Sequence, residues 1–282
     1  METKKPSIAI SGATGFVGTN LRKFLLRQNI SIITLARKKC KPFKLEKNLV
    51  FSDLDDIAPS ALKNCTALVH LIGAGAQTSD FDYDSVNVKQ TEKIVNLCKK
   101  SHIKKIVYIS GLGVNDSTTF GYFISKLKAE KLIVKSGLDY TILRASYIIG
   151  KNDPLEQNLR KQARSGVILI PGSGSYRLQP VSIDDVCKTI SVCIANKKLS
   201  NKIIDLVGPT TISFEHFVRK FAKRKQVRIQ KISLEKAYFE ALNNPKKAVY
   251  GLDDLNIMIG DFTSDHKKLE QLCGFKLKTP VL

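Results

Sequence analysis

The chain has 282 residues, 43% of them hydrophobic and 25% charged, which leaves room for one large α/β domain, or a core domain with a smaller lobe, and enough apolar material for a core without staples. Its formal net charge of +21 at pH 7 points to an anionic ligand, a nucleic-acid partner or a bias of composition. Six scattered cysteines (40, 65, 98, 187, 193 and 273) make no C-x-x-C pair and no Cys/His cluster; they read as reduced, buried thiols and give no metal site.

The N-terminus "METKKPSIAISG" enters a strand-like run almost at once, which leaves no space for a signal peptide. The charge-free run "ALVHLIGAGAQTS" is too short and too polar to span a bilayer. A cytoplasmic protein is expected. "SIAIS" (7–11) reads as a strand, after which Val17, Leu21, Phe24 and Leu25 share a helical face. "SIITLA" (31–36), "NLVF" (48–51) and "ALVHLI" (67–72) are the next strands, the last a continuous apolar run suited to burial on both faces. From Val86, the positions Val88, Ile94, Val95 and Leu97 set a helix ending near Lys100. "KIVYIS" (105–110) is a strand, "GYFISKLKAE" opens a helix running to about Ser136 with Gly137 as its C′ residue, and "YTILRAS" (140–146) is a strand.

Strands alternating with helices imply right-handed βαβ units and a doubly wound parallel sheet. After Gly150 the texture changes. A short helix lies among loop signals, then Ser182 caps a helix with Asp184 and Asp185 in its first turn. "IIDLVG" returns a strand to the sheet, and Ser213 and Ser233 cap two later helices. The expected division is a doubly wound core over residues 1–150 plus about 180–207, with a smaller C-terminal lobe from about 151–179 and 208–282.

"SGATGFVG" follows the first strand and opens the first helix. Gly12 suits a tight turn, Gly15 lets backbone approach a pyrophosphate, and Gly18 lets the helix pack closely on the strand. The phosphates would face the free N–H groups of the helix N-terminus. The strand–turn–helix context makes this the fingerprint of a Rossmann-type dinucleotide site. An acidic residue ending the second strand would hold the ribose 2′-hydroxyl of NAD. Here "ARKKCK" places Arg37 nineteen residues after Gly18, with Lys38 beside it. An arginine forks onto a 2′-phosphate, so NADP(H) is expected as the preferred cofactor, with NAD(H) as the alternative.

With these motifs, the chain resembles an extended or atypical short-chain dehydrogenase/reductase of the NAD-dependent epimerase/dehydratase type. The resemblance runs over essentially the whole chain. "SDLDD" resembles the family's acidic contact to adenine, which falls on Asp53, with Leu54 next to it. "HLIGAG" resembles the small-residue turn after the fourth strand, with Leu71, Gly73 and Gly75. "NVKQT" supplies Asn87. "YISGLGV" puts Ser110 where the family has its catalytic serine, and "YFISK" supplies Tyr122 and Lys126. The cofactor set on this reading is Gly12, Thr14, Gly15, Phe16, Val17 and Gly18, then Arg37, Lys38, Asp53, Leu54, Leu71 and Gly73, completed by Tyr122 and Lys126. "LRASYIIG" and "RLQPVSIDDV" resemble a narrower group that includes the nucleotide-binding accessory subunit of respiratory complex I and its prokaryotic relatives. Two positions depart from the pattern: Ala145 stands for a usual proline, and Gly111 follows Ser110 where another serine is common.

Tyr122 and Lys126 are four apart on a helix and share a face. An ammonium there is expected to lower the phenol pKa toward neutrality and let the pair move a proton while hydride passes to or from the cofactor. Ser110 would hydrogen-bond the reacting carbonyl oxygen, and Asn87 would hold a water or the backbone. Tyr147 and Lys151 repeat the spacing, but from a strand through Gly150 into a loop, so that pair is set aside. His70 reads as a satisfied core or cleft histidine. Arg177 and Gln179 are candidates for either ligand contact or fold pairing.

The leading expectation is an NADP(H)-dependent oxidoreductase or epimerase/dehydratase acting on a small molecule through Ser110, Tyr122, Lys126 and Asn87. The alternative is a non-catalytic NADP(H)-binding redox sensor or assembly subunit of a membrane-associated respiratory complex. A third, RNA binding on the dinucleotide fold, rests on the basic stretch "VRKFAKRKQVRIQK" (218–231); no nucleic-acid motif or aromatic platform accompanies it, and a solvated basic face is the simpler reading.

Overall fold

The structure is a computed structural model and describes residues 7–77 and 80–280. In chain order, β1 (Ser7–Ser11), α1 (Phe16–Arg27), β2 (Ser31–Ala36), β3 (Glu46–Val50) and β4 (Cys65–His70) lead into a π-helical turn, Asp84–Lys89, that continues as α2 (Gln90–Lys100). Next come β5 (Lys105–Gly111), α3 (Gly121–Val134) and β6 (Asp139–Ala145). The remaining chain forms β7 (Ile148–Ile149), α4 (Pro154–Arg164), β8 (Val167–Pro171), β9 (Arg177–Leu178), β10 (Val181–Ser182), α5 (Ile183–Ala195) and β11 (Lys202–Leu206). It ends with β12 (Ile212–Ser213), α6 (Phe214–Lys225), β13 (Arg228–Ile232), α7 (Leu234–Asn243), α8 (Leu252–Met258) and α9 (His266–Cys273).

Seven strands make one sheet in the order β11-β6-β5-β4-β1-β2-β3, all pairs parallel. This is the expected doubly wound, Rossmann-type α/β fold. Alternation along β1 explains the layers: Ile8 and Ile10 face one side and Ala9 the other. On the first side they meet Leu21 and Leu25 of α1 and Val186 and Ile190 of α5. On the second, Leu68 meets Ile94 of α2 and Ile133 of α3. Leu21 and Leu25 are fully buried, each stabilising the layer by about 1.5–3 kcal/mol. Strand order reverses between β1 and β4, so a crevice opens beyond their carboxyl ends, where open α/β sheets bind ligands.

A third apolar cluster, with Leu159 of α4, Ile168 and Ile170 of β8 and Phe214 and Phe217 of α6, lies apart from the sheet. The chain from α9 does not stay with it. Leu269 and Leu277 pack with α1 and α5 on the sheet, so residues read as the end of the lobe return to the main core.

Several boundaries differ from the sequence reading for identifiable reasons. β3 begins at Glu46 because that carboxylate is turned inward onto Arg22, 2.7 Å away, and Thr34. β4 starts at Cys65 and ends at His70; Leu71 still donates to the Ser11 carbonyl at 3.1 Å before the chain leaves the sheet. Gly137 is left-handed, φ +79°, but lies two places beyond the Lys135 cap. The basic stretch 218–231 folds as the end of α6 and as β13, which pairs with β8. Val218, Phe221 and Ala222 are buried there, while Arg219 and Lys231 both pair with Glu215. Ser182, Ser213 and Ser233 cap their helices as expected. All six cysteines are free thiols, and burial pushes the Cys65 thiol up to about 11. Among the described residues no helix is long and apolar enough to cross a membrane.

Candidate functional site

The crevice at the reversal point is a cleft of about 650 Å³. One wall is the glycine turn. Gly12 has φ +67°, and a Cβ there would stand 2.6 Å from the Leu71 carbonyl carbon, so only glycine lets the β1 and β4 ends meet this closely. A Cβ on Gly18 would strike the Gly12 carbonyl oxygen. The N-terminus of α1 at Gly15 has no side-chain cap and no acidic residue in its first turn, so its free N–H groups stay open to an anion. Gly15, Phe16, Val17, Leu71 and Gly73 also line this wall.

The floor is formed by the ends of β5 and β6 and one face of α3. Ser110, Tyr122 and Lys126 all line the cleft. The Ser110 hydroxyl is buried and has no hydrogen-bond partner among the described residues. Tyr122 is half-buried, and its ring lies against Gly111: a Cβ there would be 3.1 Å from the phenol oxygen. The ring also meets Tyr83 edge-on at 6.0 Å and Phe123 at 5.1 Å. Lys126 is buried. Its Nζ donates to the Tyr108 hydroxyl at 3.2 Å and the Ile109 carbonyl at 3.3 Å, and lies 6.0 Å from the Tyr122 ring centre. Burial lowers the Lys126 amine to about 8, with Glu130 opposing the shift.

The expected lowering of the Tyr122 pKa does not appear. Burial pushes its hydroxyl up to about 12, because the phenolate would lose water while the ammonium is directed at Tyr108 and Ile109 instead.

Asn87 does not line the cleft. Its Oδ1 accepts from the Ala74 N–H at 2.9 Å, and its Nδ2 donates to the Ala74 carbonyl at 3.3 Å and the Ser125 hydroxyl at 2.9 Å. It ties the turn after β4 to α3 and holds backbone. His70 is a satisfied core residue. Nδ1 lies 2.8 Å from the Ser11 hydroxyl and Nε2 2.9 Å from the Thr91 hydroxyl. Thr91 spends its one proton on the Asn87 carbonyl at 2.6 Å, so it accepts from Nε2–H, and Nδ1 accepts from Ser11.

The remaining predicted residues fall outside the cleft. Arg37 and Lys38 are exposed just beyond β2, on the same edge of the sheet as the glycine turn. They make no ion pair among the described residues. Asp53 caps a 3₁₀ turn and pairs with Lys93, at 2.5 and 2.6 Å. Leu54 is core, and Thr14 is exposed on the turn. Arg177 pairs with Asp261 at 2.9 Å; Gln179 donates to the Gly208 carbonyl and accepts from the Ser264 N–H. Both serve the fold. Tyr147 and Lys151 are separated by β7 and share no helix face.

Sequence reasoning missed part of the site. Ser146 has a second buried hydroxyl without a partner among the described residues and lines the cleft; its place after β6, like that of Ser110 in β5, was the available signal. Tyr147 lines the cleft without Lys151. The opposite wall comes from Leu155 of α4, from Tyr250 just before α8, and from Asp254, Ile257 and Met258 of α8, and only tertiary packing brings these together.

The open α1 N-terminus, the glycine wall and two orphaned hydroxyls fit a dinucleotide whose reactive ring reaches the floor. Fold and cleft together define a dinucleotide-binding protein of the Rossmann type. The chain belongs to the NAD(P)H-binding family, whose model matches residues 12–196. It is epimerase/dehydratase-like, and its relatives at low identity include complex I subunits and sugar epimerases. It is 23% identical over 221 residues to NADH dehydrogenase (ubiquinone) 1 alpha subcomplex subunit 9, mitochondrial, of Dictyostelium discoideum, covering 74% of this chain and 61% of that relative's length. It is 27% identical over 248 residues to a UDP-glucose 4-epimerase of Vibrio cholerae, covering 77% of this chain and 75% of the relative. Among solved structures it resembles MoeE5 in complex with UDP-glucuronic acid and NAD, with TM-score 0.77 at 18% identity over 97% of this chain and 94% of that one.

Proposed function

We propose that the chain is an NADP(H)-dependent oxidoreductase, or an epimerase/dehydratase-type enzyme with a transient hydride step, and that Ser110, Tyr122 and Lys126 form its reaction centre. The carrying observation is the convergence of the unpartnered Ser110 hydroxyl, the Tyr122 phenol and the buried Lys126 ammonium beside the glycine wall. A bound nicotinamide supplies the hydride donor or acceptor. Ser110, with Ser146 as a second donor, holds the substrate oxygen. Tyr122, held protonated by burial, is in the form that gives its proton to an oxygen gaining negative charge. Lys126 offsets charge on the phenol oxygen once the proton has left. Asn87 keeps the turn carrying Gly73 and Ala74 in place. For the cofactor, Arg37 and Lys38 would reach a 2′-phosphate, while Asp53 would have to share its carboxylate between Lys93 and the adenine.

The test is oxidation of NADPH and reduction of NADP+ by the purified protein against a panel of carbonyl compounds and alcohols, with cofactor affinity measured separately. Tyr122→Phe is expected to lower turnover by about 10²–10⁴-fold and to change cofactor affinity little. Turnover unchanged in that variant would remove Tyr122 from the mechanism. A second reading is favoured by one geometric observation: the Lys126 amine is engaged with the Tyr108 hydroxyl and the Ile109 carbonyl and stands 6.0 Å from the Tyr122 ring centre. On that reading the same cleft holds NADP(H) as a permanent guest in a respiratory-type assembly, as the relation to a complex I subunit suggests. Tight cofactor binding without turnover, with co-purification of a larger complex, would favour it.

A further inference from the structure

The lobe side of the cleft differs in charge from what a nucleotide sugar requires. Its wall is Leu155, Tyr250, Ile257 and Met258, with the Asp254 carboxylate exposed among them. Among the described residues lining the cleft the single cation is Lys126, which is on the sheet side and already donates to Tyr108 and Ile109. Arg160 of α4 is tied to Glu156 at 2.6 Å, and Arg177 to Asp261. The Asn158 amide is also engaged, with the Val249 carbonyl at 3.0 Å and Gln162 at 2.6 Å. A diphosphate seated here would meet a carboxylate and no counter-charge, an arrangement that rejects it.

A second feature says what the cleft takes instead. A recess of about 130 Å³ opens from the reaction floor, sharing Tyr122, Ala145, Ser146, Tyr147 and Ile257 with the cleft. Beyond that mouth its walls are Leu112, Phe123 and Phe262. Leu112 and Phe123 are buried, and the Phe123 and Phe262 rings lie 5.6 Å apart. An enclosed apolar cavity of about 150 Å³ holds a benzene molecule, so a recess of this volume has room for a group of that size.

We propose that the substrate is an uncharged aryl or branched-alkyl ketone or aldehyde, or the matching alcohol, whose apolar group enters this recess and whose oxygen lies between Ser146, Ser110 and Tyr122. This rests on the functional reading above. In the reducing direction the C=O π bond breaks, carbon gains a hydride from the reduced nicotinamide cofactor, and oxygen gains the Tyr122 proton. The carbonyl is reduced, the cofactor is oxidised, and the phenol is reprotonated from solvent.

The experiment is calorimetric titration of the NADP+-saturated protein with two probes, acetophenone and UDP-glucose, after titration of NADP+ and NAD+ alone. Acetophenone is expected to bind saturably and UDP-glucose to give no saturable heat. Ile257→Trp, whose indole fills the recess, is expected to weaken acetophenone at least tenfold. Saturable UDP-glucose binding, no acetophenone binding, or acetophenone binding unchanged in Ile257→Trp would overturn the proposal. The contrast between the two probes on the unmodified protein needs no variant and stands if Ile257→Trp does not fold. Failure of both cofactors to bind would sink the functional reading itself, whereas cofactor binding with the wrong probe selectivity would sink the substrate class alone.

Discussion

The Lys126 ammonium donates to the Tyr108 hydroxyl at 3.2 Å, although Tyr122 shares its helix face, with Nζ 6.0 Å from that ring centre. The amine is thus held against the sheet, in a setting where burial lowers its pKa from 10.5 to about 8. A lowered lysine pKa means that folding disfavours the charged form. The penalty is complete below pH 8 and fades as pH rises from about 8 toward 10.5, where the unfolded chain also loses the proton.

Lys126→Met is therefore expected to be more stable than the parent protein at pH 7 by about 2 kcal/mol, the relief of burial less two lost hydrogen bonds. The advantage should shrink by pH 10. Denaturant unfolding at the two pH values measures it. A Lys126→Met protein less stable at pH 7 would show that the hydrogen bonds to Tyr108 and Ile109 outweigh the burial cost.

His70 carries a pH dependence of the same sign in a lower window. Burial first, then the Lys126 charge, pushes its pKa from 6.5 to about 3. Between these values the unfolded chain binds one more proton than the folded one, so stability falls as pH falls through that window, by about 1.4 kcal/mol per pH unit at the steepest. His70→Gln removes this titration. The slope of unfolding free energy against pH between 6 and 4 should flatten by about one proton in the variant, and an unchanged slope would assign the acid sensitivity elsewhere.

Arg37→Ala tests cofactor choice. Arg37 is exposed at the carboxyl end of β2, so its removal costs the fold little. Loss of one charge-assisted contact to a 2′-phosphate is expected to weaken NADP+ about 10–100-fold and to leave NAD+ within a few-fold. Equal losses for both cofactors would place Arg37 on the shared pyrophosphate, and no loss for either would remove it from the site.

How much of this was legible in the sequence depended on whether the signal was local. The glycine turn, β1 to β6 and the Tyr122–Lys126 face all follow from periodicity and from spacing over a few residues. The lobe wall was not legible, because Leu155 and Ile257 are 102 positions apart (257 − 155) and meet only through packing. β13 was hidden by Arg228 and Lys231, which are exposed while Ile232 is buried. The inward turn of Glu46 hid the start of β3 in the same way. Tyr147 was discarded with Lys151 because the pair fails as a helix face; the tyrosine alone lines the cleft.

Glu130→Gln should show how α3 is anchored. Glu130 on α3 receives the Arg144 guanidinium of β6 at 3.1 and 2.7 Å, and its side chain is only 2% exposed. Losing the charge leaves a part-buried guanidinium poorly paired, at a cost of about 2–3 kcal/mol. Glu130 also raises the Lys126 pKa, so the variant should move the amine to lower pH. Chemical unfolding measures the first effect, and NMR titration of the Lys126 side chain the second. An unshifted amine would mean that Arg144 already neutralises Glu130 as seen from Lys126.

Asn87→Ala separates positioning from chemistry. The side chain makes three hydrogen bonds, two to Ala74 and one to Ser125, and touches no cleft surface. Truncation leaves buried polar groups unpaired and should cost about 2–3 kcal/mol of stability. With the staple gone, the turn bearing Gly73 is free to move against Lys126. Cofactor affinity is therefore expected to weaken alongside turnover, in contrast to Tyr122→Phe, in which turnover alone should fall. Asn87→Asp keeps the acceptor for the Ala74 N–H but loses both donated bonds, so it should recover part of the affinity. A variant with intact cofactor affinity and abolished turnover would instead place Asn87 in the proton path.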